Sequence, residues 1–464
     1  MKKSEYIVLK EGTYLDKKSD SYVLMNEKFN LTPIVLNEIS VILLQQINGL
    51  NTFDDIIKII KKLVTNESII VEKKVEHFLK LINQYLLFSN YSQKNKEVLC
   101  GKIEKIENAK PDRILVRKKT PQMITFMLTN CCARECIYCY AGSKKINGKD
   151  FSNSFLSVSR FKEVIKEAET IGVEYIEIGG GDPFKHYNIM EYLKVIGNSK
   201  IKNYLISTKE YLSEKVSNEL KNIGIKRVQV SLDSCDKEIA DYLMGVKGSF
   251  VQVEQSIENL VNSDIEVSVN AVLTSENIDN AFELIDFLYL KGVYNVSFSL
   301  YGMSCGRHDE SLYPSINQIK CFIKKMNNFK NENIKIQYPK VDINEEEAKR
   351  SKDLGISHYY RSICGALNRR LTVDENGNVK YCAYMPSVEE VIVGDLKKDS
   401  IMEIWNSKKT LNLLTPIKEN YTGTDCYSCD EFINCFNRRC NMRIYSKFKT
   451  IYEKDPLCKY SSEI

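Results

Sequence analysis

One nine-residue stretch, Cys132-Ala-Arg-Glu-Cys136-Ile-Tyr-Cys139-Tyr140, limits what this chain can fold into more than any other. Its three thiols have three and then two residues between them, shortly after the apolar run Ile124-Thr-Phe-Met-Leu128. The pattern predicts a strand that delivers a cysteine loop at its carboxyl end. Three thiolates can hold three irons of a four-iron cluster and leave the fourth open to another ligand, thiolates being the usual ligands of such clusters. Cys-x-x-Cys also suits a zinc or dithiol site, so the surroundings of the loop have to decide.

Composition narrows the choice. Fifteen cysteines occur in 464 residues. The amino-terminal Met1-Lys-Lys-Ser-Glu-Tyr-Ile-Val-Leu-Lys10 has too short an apolar run for a signal peptide. No segment approaches the roughly 20 apolar residues of a membrane span. The expectation is a cytoplasmic chain without membrane association, whose thiols stay reduced, which argues against a disulfide framework. The net charge of +5 comes from scattered lysines and predicts no nucleic-acid surface.

Residues 1–95 read as a separate unit. Tyr6-Ile-Val-Leu9 and Tyr22-Val-Leu-Met25 are expected as short strands of a small hairpin or ribbon. Asn37 caps a helix carrying Ile39, Ile42, Leu43 and Ile47 that stops at Gly49. Thr52 with Asp55 resembles a capping box and opens a second helix. A third helix, about Val71 to Tyr85, carries Val75, Phe78, Leu79 and Ile82 on one face, and Leu86-Leu-Phe88 closes the unit. This order is that of a winged helix-turn-helix. DNA binding is an open reading of such a unit, weakened because no arginine precedes Arg113 and arginine is the commonest reader of base edges. Residues 96–120 are polar and lysine-rich and read as a linker.

From Met123 to about Leu300 strands alternate with helices, the pattern of parallel βα units. The expected strands are Ile124–Leu128, Tyr175–Ile178, Tyr204–Ser207, Arg227–Ser231, Glu266–Val272 and Asn295–Leu300. Six units suit a partial (β/α)6 barrel over residues 121–330, with ligands at the carboxyl ends of the strands.

The cysteine spacing, with Tyr138 before the last thiol, resembles the signature of the radical S-adenosylmethionine (SAM) enzymes. In that family the open iron binds the amino and carboxylate groups of SAM, which is cleaved to a 5′-deoxyadenosyl radical. The resemblance implies that Cys132, Cys136 and Cys139 are the catalytic cluster ligands and that Tyr138 lies against the cofactor. The second strand is followed by Gly179-Gly-Gly-Asp182-Pro183, and the resemblance gives Gly180, Gly181 and Asp182 the SAM amino group. It likewise places Ser207 and Thr208, at the end of the third strand, and Ser231 and Asp233, at the end of the fourth, against SAM. Many relatives have an arginine just before Gly245; this chain has Met244 there.

Residues 331–464 hold the second cysteine group. Cys364 is followed by Gly377 and Cys382, then by Cys426-x-x-Cys429, Cys435, Cys440 and Cys458. This resembles the SPASM domain, a module with two auxiliary four-iron clusters. Four residues stand before Cys440 where the family usually has three. The resemblance implies one cluster on Cys426, Cys429, Cys435 and Cys458. It implies another on Cys364, Cys382 and Cys440, its last iron left to an eighth residue, water or substrate; His358 stands where some relatives have an eighth cysteine. Zinc is the alternative for the whole group. Cys100, Cys131, Cys235, Cys305 and Cys321 stay outside this scheme; Cys305, beyond the sixth strand, stands where it could face the active site, but isolated cysteines are more often small hydrophobes.

The phrase Leu36-Asn-Glu-Ile-Ser-Val-Ile-Leu-Leu-Gln-Gln-Ile-Asn-Gly49, then Thr52-Phe-Asp-Asp-Ile-Ile57, resembles the precursor-peptide recognition element of peptide-modifying enzymes. In that family the leader peptide adds a strand to the ribbon, a β-augmentation. The whole resembles maturases of ribosomally made peptides, most closely those that form thioether links. It implies SAM and three four-iron clusters as cofactors, a precursor peptide bound by residues 1–95, and an electron donor such as flavodoxin or ferredoxin. Rival expectations are carbon–carbon crosslinking, epimerisation, a folded-protein maturase of the anaerobic sulfatase-maturing type, and an iron–sulfur regulator on DNA.

Overall fold

The computed structural model describes residues 4–18, 21–26, 31, 34–63, 68–91, 113–114, 117–152, 154–339, 364–414, 417–429, 432, 439–456 and 458. The chain divides into two compact units, Met1–Lys119 and Thr120–Ile464. Most of the linker segment, together with Cys100, His358 and Cys435, lies outside the described residues.

The first unit holds strands β1 (Tyr6–Leu9), β2 (Thr13–Lys18), β3 (Ser21–Asn26) and β4 (Ile34–Leu36), then helices α1 (Glu38–Gln45), α2 (Phe53–Leu63) and α3 (Ser68–Leu81), and strands β5 (Leu86–Ser89) and β6 (Arg113–Ile114). Asn37 caps α1 by accepting from the Ser40 N–H at 2.8 Å. Thr52 and Asp55 exchange the reciprocal bonds of a capping box at the start of α2. The third helix begins earlier and ends sooner than its apolar period suggests, because a 3₁₀ turn, Asn83–Tyr85, takes over. Apolar residues from Ile7 to Leu86 form one core, and the buried Tyr85 hydroxyl donates to the Leu24 carbonyl, tying the helical layer to the ribbon.

The ribbon differs from the expected one. β1 pairs with β5, Tyr6 opposite Ser89, while the hairpin is β2 with β3, Thr13 opposite Asn26. Thr13-Tyr-Leu-Asp-Lys-Lys18 carries one buried aliphatic side chain, Leu15, so its strand character comes from cross-strand pairing and not from an apolar period. The four-stranded sheet runs β2-β3-β4-β6.

The second unit is built on one sheet. Its strands are β7 (Met123–Met127), β10 (Tyr175–Gly179), β11 (Tyr204–Thr208), β12 (Arg227–Ser231), β13 (Glu266–Leu273), β14 (Asn295–Leu300), β15 (Lys335–Gln337), β16 (Arg370–Val373), β17 (Asn378–Lys380) and β18 (Ile392–Asp395); β8 (Cys131–Cys132) and β9 (Lys144–Lys145) pair separately. The order is β15-β14-β13-β12-β11-β10-β7-β16-β17-β18. Every pairing from β15 to β16 is parallel; only β16-β17 and β17-β18 are antiparallel. The six expected strands stand side by side in sequence order. Two additions lay beyond the reading of the sequence: β15 extends one edge, and β16, from the cysteine-rich segment, joins the other beside β7 with Arg370 opposite Met123.

Intervening helices cover one face. In α4 (Val158–Ile171) the Ser157 side chain accepts from the Arg160 N–H, and Phe161, Val164, Ile165 and Ala168 are buried at helical spacing. The strands alternate accordingly. Ile176, Ile178, Val228, Val230, Val267 and Val269 are buried, while the other face carries a polar lining. Thr125 lies opposite Glu177, Ser207 opposite Gln229, and Asn270 between Ser231 and Ser297. Thr125 donates to Glu177 at 2.6 Å and Ser297 to Asn270 at 2.9 Å.

Candidate active site and cysteine groups

The cysteine loop leaves β7 and is gripped from three sides. On the first, the Leu128 N–H donates to the Gly179 carbonyl, the Gly181 N–H to Thr129 and the Asp182 N–H to Cys131. A Cβ at Gly181 would stand 2.1 Å from the Cys131 carbonyl oxygen, so only glycine allows this approach. On the second side, the loop uses the last turn of the helix Lys237–Met244, whose final carbonyls have no helical donors. The Glu135 N–H donates to Met244 and the Ile137 N–H to Leu243. Backbone atoms alone serve this contact, so Met244 meets it without a polar side chain.

The third side is the segment after β14. The Arg307 N–H donates to the Cys139 carbonyl at 2.8 Å. Its guanidinium donates to the carbonyls of Cys136 at 3.1 Å and Ser143 at 2.6 Å. A Cβ at Gly306 would lie 2.3 Å from the Cys139 carbonyl oxygen. Two charge-assisted bonds at about 1.5–3 kcal/mol each make Arg307 the strongest single tie on the loop. Arg307→Gln is expected to lower stability by about 2–4 kcal/mol and to speed iron release to a chelator; Arg307→Lys, which keeps the charge and loses the fork, should fall between. Denaturant titration and a chelation time course check both.

Within this frame the thiols meet the strand ends. Burial pushes the Cys132 thiol up to about 12, with Asp182, Cys136 and Cys139 adding to the rise. Burial likewise raises Cys136, against the Lys209 ammonium that favours its thiolate. Asp182 is buried and accepts from the Thr208 hydroxyl at 2.8 Å, the Lys209 N–H at 2.7 Å and the Phe184 N–H at 3.0 Å. Burial raises this carboxyl to about 6 in spite of those donors. Asp233 accepts from Lys209 at 2.9 Å and from the Val272 N–H at 2.9 Å, and the Tyr138 hydroxyl bonds both Asp233 and Lys209.

Cys132, Cys136, Cys139, Tyr138, Asp182, Thr208 and Asp233 are therefore joined in one network. Ser207 and Ser231 lie on the polar face of the same strands, Ser207 accepting from Gln229 at 3.3 Å. Lys209 and Arg307 are additional members. Lys209 follows Thr208 directly, and a lysine at a strand end was a usable signal. Arg307 gave none, since it reaches Cys136 across 171 positions.

The later cysteines fall into two spatial sets. Cys382 is pushed up to about 12 by burial, with Cys364 and Cys440 adding to the rise. Cys426 interacts with Cys458 and Cys429. Asp455 links the sets: it accepts from the Cys440 N–H at 2.8 Å and from Arg443 at 3.1 Å, and its carbonyl takes the Cys458 N–H. Among the described residues no three His, Cys, Asp or Glu side chains converge as one metal ion requires. A four-iron cluster holds its thiolates further apart than a single zinc does, and the half-buried thiols described in each set fit such clusters.

Residues 126–288 match the Radical SAM superfamily and residues 364–430 the SPASM iron-sulfur cluster-binding domain. The chain thus carries a radical SAM domain and, after it, a SPASM domain. It is 25% identical over 292 residues to a probable GTP 3′,8-cyclase of Sulfurisphaera tokodaii, covering 60% of this chain and 85% of that protein. It is 23% identical over 334 residues to the PqqA peptide cyclase of Rhizobium meliloti, covering 69% and 83%. Streptococcus suis SuiB bound to its precursor peptide SuiA shares the fold over 98% of this chain and all of that one, with a TM-score of 0.56 and 15% identity. Among the described residues no helix is long and apolar enough to cross a membrane.

Proposed function

We propose that this chain modifies a ribosomally made precursor peptide, joining a cysteine sulfur to carbon. SAM and a cluster on Cys132, Cys136 and Cys139 supply, when bound, a radical that removes a hydrogen atom from carbon. Gly180, Gly181 and Asp182 would take the amino group of SAM, while Thr208, Ser207, Ser231, Asp233 and Tyr138 would surround the rest of it. Cys426, Cys429, Cys435 and Cys458 would hold one auxiliary cluster, and Cys364, Cys382 and Cys440 the core of another. Residues 1–95 would form a winged helix-turn-helix that holds the leader.

The observation that carries the crosslinking reading is the direct connection between the cysteine loop and the Cys364, Cys382 and Cys440 set. The rings of Tyr140 and Tyr384 lie 4.7 Å apart, each next to or two residues from a thiol of its set. Crosslinking needs an electron outlet. One hydrogen atom leaves carbon, the cysteine thiol gives up its proton, the carbon–sulfur bond forms, and one electron must depart. A redox-active group beside the site suits that step, whereas epimerisation returns a hydrogen atom and leaves the substrate's oxidation level unchanged. PqqA peptide cyclase and peptide-bound SuiB as relatives favour a peptide substrate.

The test is the mass of the short peptide encoded beside this gene after anaerobic co-expression. Loss of two hydrogens per link, with the linked cysteines no longer alkylatable, is the expected result. The same mass loss with every cysteine still alkylatable would mean a carbon–carbon link. An unchanged mass would point to epimerisation or to another substrate.

A further inference from the structure

We infer that Cys305, supplied by the barrel and not by the SPASM domain, is the fourth thiolate of the cluster on Cys364, Cys382 and Cys440. The inference rests on the cluster assignment proposed above. Cys305 lies five residues beyond β14, outside both cysteine motifs. Its backbone N–H donates to the Tyr384 carbonyl at 3.0 Å, two residues after Cys382. Its thiol is 3.7 Å from the Met442 carbonyl oxygen, two residues after Cys440. One residue is thus fixed by both segments that carry ligands of this set. Cys305 interacts electrostatically with Cys440 and with the buried Lys380 ammonium, which in turn interacts with Cys382. Lys380 is anchored by donating to the Met385 carbonyl at 2.8 Å, a fixed positive charge beside thiolates that share irons.

The neighbouring residues give the placement a purpose. Gly306 presses on the Cys139 and Tyr140 carbonyls and Arg307 clamps the cysteine loop, so consecutive residues 305, 306 and 307 span the two sets. A thiolate at Cys305 would ligate the last iron of the auxiliary cluster and close it to a substrate sulfur. The peptide's cysteine sulfur then meets the carbon radical without binding iron, and the cluster acts as the electron acceptor alone. Ligation costs the thiol its proton, released to solvent, and ends its bond to the Met442 carbonyl.

The experiment compares reconstituted wild type, Cys305→Ala and Cys382→Ala by iron content and by electron paramagnetic resonance of the reduced proteins. The expected result is that Cys382→Ala loses about four irons per chain with the corresponding signal. Cys305→Ala should shift that signal and make it respond to added small thiols, which leave the wild type unchanged. If both variants keep the wild-type iron and spectrum, the cluster itself is absent and the assignment beneath the inference fails. If only Cys382→Ala changes, Cys305 is no ligand. Thiol labelling of the wild-type holoenzyme guards against a misfolded variant. Cys305 should alkylate at least tenfold more slowly before iron chelation than after it. Labelling of Cys305 in the holoenzyme as fast as that of the similarly half-buried Cys235 would overturn the inference.

Discussion

Cys136→Ala is expected to abolish reductive SAM cleavage, by at least about 1,000-fold, as removal of one member of a cooperating catalytic set does. Of the three thiols in the loop, Cys136 is the most deeply buried, and its surroundings are committed. The Lys209 ammonium lies beside it, held by Asp233 at 2.9 Å. Breaking into a buried charged network of this kind by removing one partner ordinarily costs about 3–5 kcal/mol. Cys136→Ala removes no charge from that network while the thiol is neutral, so the fold should survive. The ammonium would lose the thiolate that cluster assembly places beside it. Anaerobic assays should show no 5′-deoxyadenosine and about four fewer irons per chain, while the signals of the SPASM clusters persist. Deoxyadenosine release at the wild-type rate would remove the loop from the chemistry and return the whole cysteine pattern to a structural role.

What could be read from the sequence was local. The six parallel strands were legible because Ile176, Ile178, Val228, Val230, Val267 and Val269 alternate with polar residues, and period-two alternation is a local signal. The glycines before Asp182 stand out in the sequence, but that Gly181 lies against the Cys131 carbonyl is visible only in the structure. β2 was not, because Asp16, Lys17 and Lys18 mask a strand that pairing with β3 stabilises. The union of β16 with β7 was not, because Arg370 finds Met123 across more than half the chain. Arg307 and Cys305 belong to the same class. Each is an isolated residue in a loop, and its partners are backbone carbonyls, which no residue type betrays. Spacing reveals ligands that share a loop; it is silent about the residue that reaches the loop from elsewhere.

A chain beginning at Thr120 is expected to keep SAM cleavage while modification of the precursor peptide falls at least about 100-fold at micromolar peptide. The first 119 residues have a core of their own, from Ile7 to Leu86, and the cut leaves β7 whole. The unit holds a β-ribbon in the order β2-β3-β4-β6, with β2 as the end strand on one side and Arg113–Ile114 on the other. A leader that adds to such an edge gains main-chain bonds and tethers the core peptide, strengthening its apparent affinity by about 10²–10⁴. Deletion should therefore raise the apparent KM for the full precursor toward that of the core peptide alone and leave turnover of saturating core peptide unchanged. Full activity of the shortened chain on the precursor would instead favour recognition by the barrel, as a folded-protein maturase requires. Salt-dependent duplex binding by the isolated first 119 residues would favour the DNA reading. Calorimetry of that piece with leader peptide and with duplex separates these outcomes, since the peptide reading requires binding of the first and not the second.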